Sequence, residues 1–240
     1  YSHAQEVEER LNFLKFLLKE GRFWLCTKQA TQIWKCLVEN VVFLEDREIC
    51  FRWFSQLMSE EQDLDPVIIK SFYEDIILNL DPSLITESGV DCFDRFFKAV
   101  NLKEGKLIIK KASRFTCDFD LIGLDYLWKI IIYCNDNVAS KGITLMTEIF
   151  TNISPSLAFS VSDVSSELIK CCMEKLKSFY QTVTHLMNDK ASQTQIEAQI
   201  IKIIRVLKLL CEYIKQCDNK YGDERSILPL EKSYRGKQLS

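Results

Sequence analysis

Glycine and proline are scarce in this chain. Only seven glycines and four prolines occur among its 240 residues. A β-sandwich or barrel needs a turn about every 8–12 residues and draws heavily on both residue types. Their scarcity excludes a many-turned all-β fold and suits long helices. Apolar residues make up 47% of the chain and charged residues 27%, which excludes wholesale disorder.

Histidine is also rare, and cysteine pairs at metal-binding spacing are absent. His3 and His185 are the two histidines, and none of the ten cysteines forms a CxxC pair. Zinc sites need convergent Cys and His ligands, and a cysteine nucleophile usually needs a His base beside it. A Gly-rich phosphate loop is missing too. The sequence therefore predicts no catalytic residue, no cofactor site and no metal site.

The ten cysteines are interpreted as reduced thiols. Disulfide frameworks are typical of short, loop-rich secreted chains, which this is not. Most of the cysteines occupy apolar helical patterns, where Cys behaves as a small hydrophobic residue. Examples are Cys36, Cys92, Cys134, Cys172 and Cys211.

Targeting and membrane signals are missing as well. The chain starts at Tyr1 without Met, signal peptide or transit peptide, and no apolar run reaches membrane-spanning length. We expect a fragment of a larger protein in the cytoplasm, with the nucleus as a second compartment, and no membrane partner.

Charge gives little support to a polyanionic partner. The formal net charge is −3, and most Lys and Arg alternate with Glu and Asp, so no nucleic-acid partner is expected. Between residues 103 and 114, however, five basic residues occur with a single acidic one. A solvated surface is the ordinary interpretation of such a patch, and a partner site is the alternative. The candidate partner-binding residues are Lys103, Lys106, Lys110, Lys111 and Arg114.

A short sequence occurs twice, each time after an apolar helical pattern. Residues 79–84, NLDPSL, return as residues 152–157, NISPSL. Asp or Ser before Pro favours a helix start, because the side-chain oxygen accepts from a free N–H and Pro has no N–H to leave unpaired. Each copy predicts a helix end followed by a helix start, which is typical of stacked helical repeats.

Apolar residues at helical spacing predict about nine helices. They lie at about 4–20, 27–40, 45–59, 66–79, 87–101, 121–134, 137–152 and 194–217. A further long helix opens in the Ser-rich link 160–166 and runs to about residue 188. Residues 130–133 alone could form a buried strand, but their helical neighbours favour a packed helix. In the last helix one apolar line holds Ile196, Ile200, Ile203, Leu207, Leu210 and Ile214, and a second holds Ile201, Ile204 and Tyr213, which predicts packing on two neighbours.

These patterns predict an all-α fold, an armadillo or HEAT-like α-solenoid of stacked helix pairs. Residues 1–101 are expected to form the first helical repeats, and residues 102–120 a basic irregular loop. Residues 121–217 are expected to form second repeats packed on the first. The polar residues 218–240 are expected to be a linker towards a following domain.

Several stretches of this sequence are specific enough to indicate a family. They are YSHA at 1–4, ERLNFL at 9–14, LDPSL at 80–84, CFDRFFKAVN at 92–101, LIGLDYLW at 121–128, DERSILPL at 223–230 and RGKQLS at 235–240. They resemble the non-catalytic helical region of the giant ubiquitin-specific proteases of the fat facets type. The resemblance runs from end to end and departs mainly in the basic segment and in residues 161–194.

This resemblance implies a cysteine-type deubiquitinase as the parent protein, with an armadillo-like array ahead of its protease domain and a ubiquitin-like domain nearby. The Cys and His boxes of that protease have no match here. The implied role is a non-catalytic scaffold that holds protein substrates or regulators and positions the protease domain, with ubiquitin met only through that absent domain. A generic armadillo adaptor in trafficking or transport and a passive structural spacer are the alternatives.

Overall fold

The computed structural model describes residues 2–58, 66–110, 113–154, 157 and 161–221. Within these ranges the chain is an armadillo-like helical solenoid with nine α-helices, as predicted, and one short β-hairpin. The helices are α1 (His3–Gly21), α2 (Thr27–Trp34), α3 (Leu44–Leu57), α4 (Pro66–Asp75), α5 (Glu87–Lys103), α6 (Leu124–Tyr133), α7 (Asp136–Thr151), α8 (Val161–Asn188) and α9 (Gln193–Tyr221). Among these helices, none is long and apolar enough to cross a bilayer.

The odd-numbered helices stand side by side in one row. α1 packs on α3, α3 on α5, α5 on α7, and α7 on α9. The even-numbered helices lie against this row, with α4 on α5, α6 on both α7 and α9, and α8 on α9. Each inner helix of the row buries two opposite faces. Neighbouring repeats thereby share a continuous core that a single repeat could not form alone.

Aromatic rings fill the core of the first half. Trp34 meets Phe51, Phe54 and Phe72 edge-on, with ring centroids 5.4, 5.5 and 5.6 Å apart. Phe72 in turn contacts Phe96 on α5 at 5.7 Å. Edge-to-face pairs are favoured by the ring quadrupoles, so these contacts add orientation to the hydrophobic burial. The cluster joins α2, α3, α4 and α5 into one core.

Side-chain caps explain where several helices start. Ser2 accepts from the backbone N–H of Gln5, and the Gln5 side chain accepts from the Ser2 N–H, so α1 begins with a capping box. Asn135 accepts from the N–H of Val138 at 3.0 Å at the start of α7. Thr86 performs the same role for α5. These bonds satisfy N–H groups that the first turn of a helix leaves unpaired.

The repeated hexapeptide ends helices as predicted, but its first copy does not begin an α-helix. Asp81 accepts from the Ser83 N–H at 2.9 Å, and the chain makes only the 3₁₀ turn Pro82–Leu84. Buried side chains on either side, Leu80 and Ile85, hold extended backbone there, so α5 begins later. In the second copy Asn152 ends α7. Residues 155 and 156 lie outside the described part.

Residues 102–120 were expected to be irregular, and this expectation is wrong. Strand β1 (Leu107–Lys110) pairs antiparallel with β2 (Ser113–Thr116), with Leu107 opposite Thr116. The hairpin is supported by the segment after α7, because the Thr116 N–H donates to the Asn152 carbonyl at 2.7 Å and the Ser154 N–H donates to the Thr116 carbonyl at 2.8 Å. The hairpin therefore fills the junction between α5 and α7.

The last helix is longer than predicted. α9 continues to Tyr221, so the boundary placed at residue 218 is wrong, and residues 222–240 lie outside the described part. The extra turn is anchored because Lys220 Nζ donates to the Thr151 carbonyl at 2.7 Å and to Asn152 Oδ1 at 3.0 Å. These carbonyl and amide acceptors lie at the C-terminal end of α7, where a cation is favoured.

One buried amide fixes the loop between the hairpin and α6. Asn101 is fully buried near the end of α5, and its Nδ2 donates to the carbonyls of Phe97 at 2.9 Å and Ile122 at 3.0 Å. Its Oδ1 accepts from the Ile122 N–H at 2.9 Å. Asn101 therefore binds both backbone groups of Ile122, and Tyr73 Oη also donates to the Ile122 carbonyl at 3.3 Å.

We expect Asn101→Ala to lower the free energy of unfolding by about 1–3 kcal/mol, because the Ile122 N–H loses its buried partner and the Ile122 carbonyl keeps only Tyr73. Asn137→Ala is the matched control, since Asn137 is exposed, and should change stability by less than about 0.5 kcal/mol. Urea unfolding followed by circular dichroism measures both. Equal effects of the two substitutions would show that the buried Asn101 amide does not stabilise the loop before α6.

Candidate functional surfaces

Arg114, one of the predicted partner-binding residues, is engaged inside the protein. It lies on β2 with only 13% of its side chain exposed. Its Nη1 is 3.0 Å from Asp94 Oδ1 on α5, and its Nη2 is 2.9 Å from Glu148 Oε2 on α7. The guanidinium therefore bridges two helices of the row through the hairpin. Arg114 is placed as a structural link rather than as a free cation.

Lys106 is also used within the chain. Its Nζ lies 3.0 Å from Asp120 Oδ2 and donates as well to the Asp120 carbonyl. The remaining predicted residues are more open to solvent: Lys103 at the end of α5 and Lys110 at the end of β1 are exposed. Lys111 lies outside the described part. The structure does not gather the described members of the set into one exposed cationic patch.

A second surface is apolar and was not predicted. The solvent side of α1 and the segment after it expose large apolar side chains on the end of the row away from α3. This first-end face consists of Phe13, Phe16, Leu17, Phe23 and Trp24. Phe13, Phe16 and Leu17 lie three and four residues apart, the spacing of one helix face. Clustered exposed aromatics of this size indicate a contact surface.

The opposite end of the row carries a larger apolar surface, on α8 and α9. Its side chains are between 41% and 67% exposed. This α8–α9 outer face consists of Ile169, Met173, Tyr180, Met187, Ile200, Ile204, Leu207 and Ile214. Between Met173 and Ile204 no described side chain is fully buried, and the part of the helix pair beyond the contacts of Lys175 and Lys202 with α6 projects from the body of the solenoid.

The sequence placed most of these α9 residues in the core, and the structure corrects this. α9 does pack on two neighbours, α7 and α8, as predicted. The residues that achieve it are Val206, Leu209 and Tyr213. Of these, Tyr213 belongs to the second predicted line, whereas Ile200, Leu207 and Ile214 of the first line point to solvent. The helical period was right and its phase was wrong, because α9 is apolar on more than one side. Broad apolarity of this kind leaves the orientation of a helix undetermined from sequence.

The cysteines divide into buried, half-buried and exposed thiols, and the half-buried ones are Cys117, Cys171 and Cys217. The buried thiols are Cys50, Cys92, Cys134 and Cys172, and the exposed thiols are Cys26, Cys36 and Cys211. The expectation of an apolar setting for Cys36 and Cys211 is therefore wrong. Burial raises the pKa of Cys92, Cys134 and Cys172 to about 12, so these thiols are protonated at neutral pH and are poor nucleophiles.

Both histidine side chains contact a carboxylate. His3 Nε2 lies 2.9 Å from Asp46 Oδ2, and His185 Nδ1 lies 2.8 Å from Asp189 Oδ2. The part of the chain that the structure describes contains no cluster of His, Cys, Asp and Glu side chains able to hold a metal ion.

Known proteins match the chain along its length. The family described as the UBP24/USP9X/USP9Y ARM repeat matches residues 1–101, the part that contains α1 to α5. Mouse ubiquitin carboxyl-terminal hydrolase 9X is 52% identical over all 240 residues, and human ubiquitin carboxyl-terminal hydrolase 9Y is 51% identical over the same length. The chain belongs to the armadillo-like region of the fat facets-type ubiquitin-specific proteases.

A more distant relative also matches the chain along almost its whole length. The probable ubiquitin carboxyl-terminal hydrolase FAF of Drosophila melanogaster is 44% identical over 257 aligned residues that cover 99% of the chain. The chain spans only 9% of the length of each of these three relatives. The match therefore supports the helical architecture directly, while the activity in the relatives' names describes much longer proteins.

We expect Arg114→Met to lower the free energy of unfolding by about 1–2 kcal/mol, because Asp94 and Glu148 lose a charge-assisted hydrogen bond in a half-buried setting. Lys110→Met, on the exposed end of the neighbouring strand, should change it by less than about 0.5 kcal/mol. Hydrogen exchange of the hairpin amides, measured beside urea unfolding, should accelerate only in the first variant. Faster exchange in both variants would contradict the bridging role of Arg114.

The thiol classes predict a labelling pattern. At pH 8 in the native protein, Ellman's reagent should react with the exposed thiols first and leave the buried thiols unmodified. The buried thiols should become reactive only in denaturing urea. Iodoacetamide labelling under the same conditions, followed by mass spectrometry of the alkylated peptides, assigns each site. Rapid native labelling of Cys92 or Cys172 would show that the core around α5 or α8 opens readily.

Proposed function

We propose that the chain is a non-catalytic scaffold segment of a large deubiquitinase, which holds protein substrates or regulators and positions the protease domain. The observation that supports this most directly is the end-to-end similarity to one short part of proteins named ubiquitin carboxyl-terminal hydrolases. The parent enzyme removes ubiquitin, and this segment meets ubiquitin only through the catalytic domain elsewhere in the parent.

The structure supports a binding role through its two apolar end surfaces. The first-end face and the α8–α9 outer face lie on the first and last helices of the row. In a solenoid such faces accept either a neighbouring repeat or a bound protein, because stacking is the same kind of helix contact in both cases. A row with two such ends can hold one protein while fixing its distance from another.

The arrangement of the candidate nucleophiles supports the non-catalytic part of the proposal. Four thiols are buried, and both histidines face carboxylates at 2.8–2.9 Å. A thiol protease requires a thiolate beside an imidazole base. The ten cysteines are all free, which favours a reducing compartment, and we place the parent in the cytoplasm or nucleus on this ground.

The basic segment between residues 103 and 114 remains a candidate for partner binding, with fewer residues than the sequence predicted. Since Arg114 and Lys106 are committed to Asp94, Glu148 and Asp120, the exposed Lys110 at the end of β1 is the described member best placed to contact a partner. Exposed lysines of this kind set encounter rates and orientation more than affinity.

A fluorogenic ubiquitin substrate tests the catalytic part of this proposal. The purified 240-residue chain should give no turnover above buffer under reducing conditions, while the catalytic domain of a ubiquitin-specific protease gives turnover in the same plate. A ubiquitin probe that alkylates active-site cysteines should likewise leave the chain unlabelled. Turnover that disappears when an exposed thiol is changed to Ser would overturn the proposal.

A further inference from the structure

The exposed apolar residues of α8 and α9 face the same side of the helix pair. On α8, the exposed Ile169 and Met173 each follow by one position the buried Leu168 and Cys172. On α9, the exposed Leu207 and Ile214 each follow by one position the buried Val206 and Tyr213. One residue turns a helix by about 100°. In an antiparallel helix pair, the residue that follows a residue buried between the two helices therefore points to the same side of the pair on both helices.

The body of the solenoid lies on the other side of this pair. Lys175 of α8 is 4.7 Å from the Trp128 ring of α6, and Arg205 of α9 donates to the Ile132 carbonyl at 2.9 Å and contacts Asp136 at 3.0 Å. Lys175 follows the buried Cys172 by three residues, so it is rotated around α8 in the sense opposite to Met173. Arg205 comes one residue before the buried Val206, so it is rotated around α9 in the sense opposite to Leu207. The apolar rows of the two helices therefore face away from α6 and α7.

The two rows form one continuous surface. Ser165 Oγ lies 2.7 Å from Tyr213 Oη, and Lys202 Nζ lies 5.8 Å from the Phe179 ring, which fixes how the antiparallel helices are aligned. This alignment places Met173 beside Leu207. Helices packed in this way lie about 8–10 Å apart, so the two rows border a groove wide enough to seat one further helix.

Lysines line both outer edges of this groove. They occur two helical turns apart on each helix, one pair on α8 and one on α9, and all four side chains are exposed. These edge lysines are Lys170, Lys177, Lys208 and Lys215. Lys170 also lies 3.9 Å from Glu167. Lys170, Lys208 and Lys215 each follow an apolar row residue, as the exposed acidic Glu174 does on α8, and on α9 the acidic Glu197 shares the edge. The groove is thus apolar in the middle and mainly cationic at its borders.

We propose that the α8–α9 outer face binds a single amphipathic helix with an apolar seam and acidic flanks. The apolar row supplies the anchor contacts, and the edge lysines select Glu and Asp on either side of the seam. This inference deepens the proposed scaffold function and rests on it, since it names the class of partner that the segment holds.

A second copy of this chain fits the groove poorly. In a symmetric dimer the same surface of each copy would meet the other. The edge lysines of the two copies would then face one another across the contact, and like charges juxtaposed in an interface are costly. Charge complementarity therefore favours a foreign, acidic helix over self-association.

A pair of designed peptides tests the proposal. The probe is a fluorescein-labelled 21-residue helix with Leu along one seam and Glu on both flanks, and its counterpart carries Lys at every Glu position. Fluorescence anisotropy with the 240-residue chain at low salt should show at least about tenfold tighter binding of the Glu-flanked peptide, weakening as salt is added. Equal binding of the two peptides, or binding of neither, would overturn the proposal.

Two matched substitutions on α9 locate the site. Leu207 is 45% exposed within the groove, and Ile201 is 44% exposed on a different side of the same helix. Leu207→Asp should weaken binding of the Glu-flanked peptide by about tenfold or more, whereas Ile201→Asp should leave it within about twofold. Circular dichroism confirms that both variants stay folded. Equal losses in the two variants would place binding outside the groove.

A charge exchange tests the role of the edge lysines. The double variant Lys177→Glu, Lys208→Glu should weaken binding of the Glu-flanked peptide and strengthen binding of the Lys-flanked one. An unchanged preference would remove the edge lysines from the mechanism. Light scattering completes the test, because a dimer of the chain that Leu207→Asp dissociates would assign the face to self-association and overturn the proposal. The ubiquitin-cleavage result is independent of all these outcomes.

Discussion

The structure depends on one packing constraint, the burial of two opposite faces on each inner helix of the odd-numbered row. α3, α5 and α7 satisfy it by contacting a helix of the row on either side. The even-numbered helices can be short or irregular because the row already supplies the continuous core. At α1 and α9 the same constraint is met on one side only, within the part of the chain described here. The two apolar end surfaces are therefore a product of the packing that holds the middle together.

Three polar side chains link elements of the odd-numbered row to neighbouring segments through hydrogen bonds and ion pairs. Asn101 holds the loop before α6, Arg114 ties α5 to α7 through the hairpin, and Arg205 joins α9 to the end of α6 and the start of α7. All three side chains are largely buried and bind backbone carbonyls or carboxylates of a neighbouring part of the chain. Arg205 lies in the second half, where the aromatic core of the first half does not reach. The basic residues that looked like a binding patch in the sequence include one of these side chains.

Much of the fold could be predicted from the sequence, because helical periodicity and sparse turn residues leave few alternatives to an α-solenoid. α6, for example, was correctly preferred over a strand on the strength of its neighbours. The hairpin was missed because four-residue strands are too short to show alternation and the KA dipeptide between them lacks the Asn-Gly type of turn signal. The exposure of Leu207 and Ile214 could not be predicted, since periodicity gives the spacing of apolar residues and not the side from which a neighbour approaches. The α8–α9 outer face, the larger candidate surface, was hidden in the sequence by the same ambiguity.

The unequal lengths of the helices have a mechanical consequence. α8 and α9 contain 28 and 29 residues, whereas α6 and α7 contain 10 and 16. At 1.5 Å per residue, α9 begins about 18 Å before Arg205, its first buried contact with α6. The helix pair is thus a lever whose pivot lies at Arg205 and Asp136. A load applied near Tyr180 or Ile200 acts through this arm, so a small tilt at the pivot becomes a larger displacement at the tip.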